Sequence, residues 1–372
     1  MKKNKIGFLY LGPISHIYHS ISIAFNLSNH TFFDVTLFVS SELNFNTIKT
    51  ISQLYKNNRC KIEHIHPSFF HKCLRFFKKR DHPRVRNVLQ KNKKKLLNFN
   101  GLVLTDRHFI SGKERKPFYF FADHGAGDRA RGYTDAINKF DFILVSGQEK
   151  WNRMREYNYI SEQKGRIIGY PKFDTVSLQV KNKRLFNNDK PTVIYNPHFN
   201  KKETSWYLWG KRILKHFLIH KEYNLIFAPH ILLFNKGKIS LKKEYYKADN
   251  IHIDVNTSAL IDMTYTINSN IYIGDVSSQV YEFVAFQKRP CIFLNPHHVR
   301  WQKSRSFRMW KMGDVINNMN HFESTLFKAV ESHLAYEEIQ ENLIQETFSI
   351  KKESAGERGA KAIIDFFESH KN

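Results

Sequence analysis

Short apolar runs alternate along this chain with segments whose apolar positions recur at helical spacing. Residues 5–11 read as a buried strand, 12–13 as a Gly-Pro turn, and 16–27, with Ile17, Ile21, Ala24 and Phe25 on one face, as a helix. A second strand follows at 34–39, and the pattern repeats with strands at 101–105, 118–122 and 140–146. After a polar interval it resumes: strands at 192–195, 225–228 and 251–254, and helices at 210–220 and 258–265. Residues 270–296 then form the most informative unit. Ile271 to Ile273 is apolar, Val280, Phe283, Val284 and Phe286 recur at helical spacing within 277–287, and 291–294 is apolar again. Strand, tight turn, helix, strand is the building block of a doubly wound parallel sheet, so an α/β class is predicted.

The turn of such a unit lies at the carboxyl edge of its sheet. Gly274 gives backbone freedom there, Ser277 and Ser278 are placed to cap the following helix, and the positive helix end would suit a phosphate. Asp275 and Glu282 are placed to meet the hydroxyls of a ribose beside it; the alternative is that the serines only cap and Asp275 only turns the chain. The first turn, GPISH, has one glycine where a dinucleotide fingerprint has three, which argues against NAD and FAD. His16 and His19 can flank the top of the first strand. With no HExxH, cysteine partner or carboxylate cluster beside them, no structural zinc is expected.

Composition sharpens this. A chain of 372 residues suits two domains, and 59 Lys and Arg against 34 Asp and Glu leave a net charge of +25, which favours an acidic partner. Cys60, Cys73 and Cys291 show no CxxC spacing, in keeping with a reducing compartment. The basic, then apolar, amino terminus is broken by Gly12, Pro13 and His16, and is not read as a signal peptide. No stretch approaches the roughly 20 apolar residues of a membrane span. Residues 69–95 interleave eleven Lys or Arg with Phe69, Phe70, Leu74, Phe76 and Phe77. Peripheral contact with an anionic membrane, a solvated helix packed by its phenylalanines, and RNA binding all remain open for it, RNA being disfavoured by the lack of any RRM, KH or helix-turn-helix pattern.

The stretch GDVSSQVYEFVAFQKRPCIFLN resembles the signature of the CDP-glycerol glycerophosphotransferase family, the teichoic-acid primases and polymerases. Further motifs follow in order. DHGAGDRARGY, from Asp123, resembles the family's HG motif; IIGYPKFD, its "GyPrfD" stretch; and YNPHFN, its "YaPTfR" loop with His198 and Asn200 replacing Thr and Arg. APH at 228–230 resembles a motif whose His contacts donor phosphates, and SAGERGAKAIIDFF the closing helix.

The resemblance implies a GT-B fold of two Rossmann-like domains facing across a cleft, at 1–177 and 191–352, with a linker at 178–190 and a last helix, 353–372, crossing back to the first domain. It implies His124 as the general base, oriented by Asp123, on an acceptor-side loop with Gly125, Asp128, Arg129 and, nearby, His16. His230, His198 and a cleft arginine such as Arg300 would meet the donor phosphates beside Gly274, Asp275, Ser277, Ser278 and Glu282. The implied reaction moves a polyol phosphate from a CDP-activated donor to a lipid-linked or polymeric acceptor at the inner face of the cell membrane. No cofactor, metal or nucleic acid is expected; the missing DxD pair fits a metal-independent mechanism. A nucleotide-sugar glycosyltransferase and a non-catalytic lipid- or nucleic-acid-binding protein are the alternatives.

Overall fold

The computed structural model describes residues 3–68, 83–111, 117–126, 133–179, 185–235, 240–255 and 258–370. Met1–Gly125, Arg131–Gln179 and Glu346–Asn372 form one compact unit; Ala126–Ala130 and Val180–Gln345 form the other. Most of the basic segment at 69–95, namely 69–82, lies outside the described residues, as do Asp128 and Arg129.

In the first unit the strands are β1 Asn4–Tyr10, β2 Phe33–Val39, β3 Lys61–His64, β4 Gly101–Leu104, β5 Phe118–Ala122, β6 Phe142–Val145 and β7 Gly165–Ile167. They pair in the order β3-β2-β1-β4-β5-β6-β7, every pair parallel. The second unit contains β8 Thr192–Asn196, β9 Asn224–Phe227, β10 Ile251–Ile253, β11 Ile271–Gly274, β12 Cys291–Leu294 and β13 Asp314–Ile316. Their order, β10-β9-β8-β11-β12-β13, repeats the 3-2-1-4-5-6 winding with all strands parallel. Helices cover both faces of such a sheet, which is why the central strands are continuous apolar runs rather than alternating ones. In each unit the winding reverses between the first and fourth strands, β1/β4 and β8/β11, leaving a crevice at their carboxyl ends.

Several elements differ from the periodicity reading. The helix expected at 16–27 is two pieces, Ser15–Tyr18 and Ile21–Ser28. Between them Ser20 leaves helical backbone (φ −151°) and its hydroxyl pairs with the Tyr10 hydroxyl at 3.1 Å. The helix expected at 258–265 is likewise split, because Met263 adopts a left-handed conformation and the Asp262 carboxylate accepts from the Thr264 N–H. IIGYPKFD, at 167–174, runs from the last residue of β7 into the helix Pro171–Gln179 within the first unit, where the Asp174 carboxylate accepts the N–H groups of Ala355 (3.2 Å) and Gly356 (2.6 Å). These are orphan donors at the start of the last helix, Ala355–Ser369, whose N-cap Ser354 also forms a capping box with Glu357. That helix lies against Ile21–Ser28, with Gly356 and Gly359 at the contact.

Among the described residues no helix is long and apolar enough to cross a membrane.

Candidate functional site

At the carboxyl edge of the first sheet, β4 runs into Thr105 and β5 into Asp123-His124-Gly125. The His124 ring is exposed, and its Nδ1–H donates to the carbonyl of Thr105. A carbonyl oxygen can only accept, so in the neutral ring this bond assigns the proton to Nδ1 and leaves the Nε2 lone pair free. Gly125 sits at φ +109°, a conformation that disfavours any side chain, although a Cβ there would meet nothing within 4 Å. Asp123 was expected to orient the imidazole. Instead it pairs with Lys150 Nζ at 2.5 Å, and the same ammonium donates to the Gly125 carbonyl at 2.7 Å. Lys150, in the helix Gln148–Glu156, therefore ties both ends of the turn, while the Thr105 carbonyl holds the ring.

The break at Ser20 brings two more imidazoles to this edge. His16 lies 4.4 Å from His124 between ring centroids, and His19 lies 6.2 Å away. Burial holds the His19 imidazole well below its ordinary range, assisted by Lys172, His124, His16 and Lys150. His19 is thus neutral in a cluster that already carries two lysines.

At the crevice of the second sheet, Asp275 follows β11, and its side chain faces the loop that follows β8. Its carboxylate accepts from the N–H groups of His198 (2.8 Å), Ser205 (2.6 Å) and Val276 (2.7 Å) and from the Ser205 hydroxyl (2.9 Å). Asp275 is completely buried, so it does not reach a ribose; it braces the strand-end loops on either side of the switch point. Burial raises its carboxyl above the ordinary value, against the opposing pull of those donors.

Gly274 also has a role other than the one expected. A Cβ there would stand 2.6 Å from the Tyr272 hydroxyl, so the glycine makes room for that ring. The following helix is only Gln279–Val284; Ser278 at its N-cap makes no side-chain capping bond, and Ser277 Oγ accepts from the Gln279 N–H at 3.4 Å. The helix stops early because Arg289 donates to the Phe283 carbonyl, as well as to those of Ile267 and Ser269, and Phe286 beyond it is exposed. Glu282 is almost completely buried in this helix, and Arg300 is exposed in the loop after β12.

His198 and His230 follow adjacent strands, β8 and β9, with ring centroids 5.4 Å apart and Phe199 between them, 4.3 and 4.6 Å from the two rings. Each Nδ1 accepts from the N–H two residues on, Asn200 for His198 and Leu232 for His230, both at 3.2 Å. An accepting Nδ1 puts the proton of the neutral ring on Nε2, so both rings are set as Nε2–H donors. Tautomers of the neutral rings are thus opposite in the two sheets, with the proton on Nδ1 at His124 and on Nε2 at His198 and His230; the His198 Nδ1 also lies 3.7 Å from the Glu203 carboxylate. Sequence reasoning missed Thr105, Lys150 and Ser205, whose roles come from strand adjacency and carry no local signature.

Comparison with known proteins gives this geometry a context. No curated protein matches the sequence. Among solved structures, the wall teichoic acid polymerase TagF superposes with a TM-score of 0.65 at 14% identity, over 100% of this chain and 90% of that one. TagF soaked with CDPG gives 0.66 at 13% identity, over 99% and 89%. UDP-GlcNAc 2-epimerase from Neisseria meningitidis bound to UDP-GlcNAc gives 0.54 at 9% identity, over 99% and 100%. These likenesses establish the fold as GT-B, two Rossmann-like α/β halves. The family CDP-Glycerol:Poly(glycerophosphate) glycerophosphotransferase matches residues 121–363, well over half of the sequence and inclusive of every histidine discussed except His16 and His19. The chain belongs to that family and is a glycerophosphotransferase-type transferase.

Proposed function

We propose that the chain transfers glycerol phosphate from CDP-glycerol to a hydroxyl of a lipid-linked or polymeric anionic acceptor and releases CMP. The tautomer of His124 carries this reading. Its free Nε2 takes the proton of the acceptor hydroxyl as the oxygen attacks the β-phosphorus; the new P–O bond forms, the bridging P–O bond breaks, and the electron pair leaves with CMP. The Nε2–H groups of His198 and His230 donate to phosphate oxygens, where charge builds most in such a transfer. Asp275 holds the His198 loop beside the end of β11, and the His230 N–H joins the two histidine loops by donating to the Pro197 carbonyl at 3.0 Å. Gly274, Ser277, Ser278, Glu282 and Arg300 remain the donor-side candidates around them. Asp123, Gly125 and His16, with Asp128 and Arg129, remain the acceptor-side candidates. The basic composition suits an anionic acceptor and a place at the inner face of the cell membrane.

Donor identity is tested by thermal shift and calorimetry with CDP-glycerol, CDP-ribitol and UDP-sugars, followed by assay of CMP release. CDP-glycerol should stabilise the chain most, and His230→Ala should weaken its binding. Stabilisation by a UDP-sugar with none from CDP-glycerol would replace the reading with glycosyl transfer.

A further inference from the structure

A second histidine cluster lies in the second unit, on elements that the proposed transfer does not use. The helix Lys211–Ile219 carries His216 and ends at His220, one turn apart, so the two side chains share a face. Their rings stack at 4.4 Å between centroids and 22° between planes, and the His220 N–H to His216 carbonyl bond of 2.8 Å secures that last turn. Glu323, in the first turn of the helix Phe322–Ser332, completes the group. One donor atom from each of the three residues lies within 4.8 Å of the other two.

The scaffold beneath is well packed. The His216 ring meets Phe322 edge-on at 5.1 Å, and Phe217 and Phe322 are both buried in the core that joins the two helices to the sheet. We infer that His216, His220 and Glu323 form a binding site for a divalent first-row metal ion of the zinc class, which clamps the two helices together.

Donor chemistry sets the class. Two imidazoles and one carboxylate suit zinc and its neighbours, whereas magnesium and calcium favour all-oxygen shells. Metal–ligand bonds of about 2.0–2.1 Å put tetrahedral ligand atoms roughly 3.3 Å apart. Metal binding therefore requires the three donor atoms, now within 4.8 Å of one another, to draw closer. Three protein ligands leave one position for water, as in open zinc sites. The inference is independent of the transferase reading, because neither the ligands nor the test involves CDP-glycerol.

The test uses the full chain after treatment with a chelator. Zn2+ titration by calorimetry should show one equivalent bound, Co2+ should give the visible absorption of a four- or five-coordinate ion, and Mg2+ should give no response. Zn2+ should also raise the melting temperature, since it binds only the folded arrangement. His220→Ala and Glu323→Gln should each weaken Zn2+ at least as much as loss of a ligand's outer hydrogen-bond partner does, roughly 10–100-fold. Both positions are at or near the surface, and circular dichroism of each metal-free variant verifies its fold; His216→Asn provides a third variant. Equal Zn2+ affinity in the parent and in His220→Ala, or no tight equivalent in the parent, would overturn the site.

Discussion

The Nδ1–H of His124 is committed to the main-chain carbonyl of Thr105, one residue past the end of the neighbouring parallel strand. This bond does the work often done by a carboxylate: it fixes both the tilt of the ring and the position of its proton. The carboxylate next in sequence, Asp123, is engaged by Lys150 instead. A carbonyl orients the ring without placing a full negative charge beside it.

His124→Ala should therefore lower the rate of CMP release by about 10²–10⁴-fold, the usual contribution of a positioned base. Calorimetric affinity for CDP-glycerol should stay at the parent value. Turnover within threefold of the parent would remove His124 from the base role.

Lys150→Met strands the Asp123 carboxylate in a mostly buried position and frees the Gly125 carbonyl. Removing one member of a buried pair costs roughly 3–5 kcal/mol. Urea unfolding should show a loss of that order, reduced by partial exposure of the pair. Adding Asp123→Asn should recover part of it, because the two effects are coupled. Additive losses in the double variant would mean that the pair contributes nothing as a pair.

His19 makes stability depend on pH in a defined direction. Its folded-state pKa lies well below the ordinary 6.5, mainly through burial, so the unfolded chain binds more protons than the folded one between those two values. The stability this provides is fully present above about pH 6.5 and is lost as pH falls, by up to about 1.4 kcal/mol per pH unit. His19→Asn should flatten melting temperature against pH between 6.5 and 5, relative to the parent. His216 and His333 are also depressed by burial and remain in both proteins, so the difference isolates His19.

Two glycines of the last helix should respond unequally to alanine. A Cβ at Gly356 would stand 2.8 Å from the backbone carbon of Ser22, which cannot move aside, whereas at Gly359 it would meet the flexible side chain of Ile23 at 2.8 Å. Gly356→Ala should cost about 1–3 kcal/mol, the usual range for overpacking, and Gly359→Ala less. Thermal melts that rank the two the other way would contradict this packing.

The strands other than β3, β7 and β13, which lie at sheet edges, were legible from sequence because a parallel sheet covered on both faces demands uninterrupted apolar runs, and such runs stand out in a basic chain. All the strands predicted from those runs are present in the two sheets, with boundaries shifted by a residue or two. The GT-B class and the family were legible through motifs that persist in order even at low overall identity.

Helix continuity was less legible. The breaks at Ser20 and Met263 come from the Tyr10 hydroxyl in one case and from a buried left-handed residue in the other, and the early stop at Val284 from Arg289. Each cause is a side chain six or ten residues away or one local backbone conformation, and periodicity registers neither.

Sequence alone therefore determined the class of architecture, the family, and which histidines stand at strand ends. Tertiary structure alone decided what those residues do there. It turned Asp275 from a ribose contact into an internal brace and diverted Asp123 to Lys150. It also gave His124 a carbonyl partner, and brought Glu323 beside His216 and His220. The physical reason is that hydrophobic burial follows from residue type and spacing. Proton positions and charge pairings follow instead from which strand lies beside which, and that is settled only once the sheet is wound.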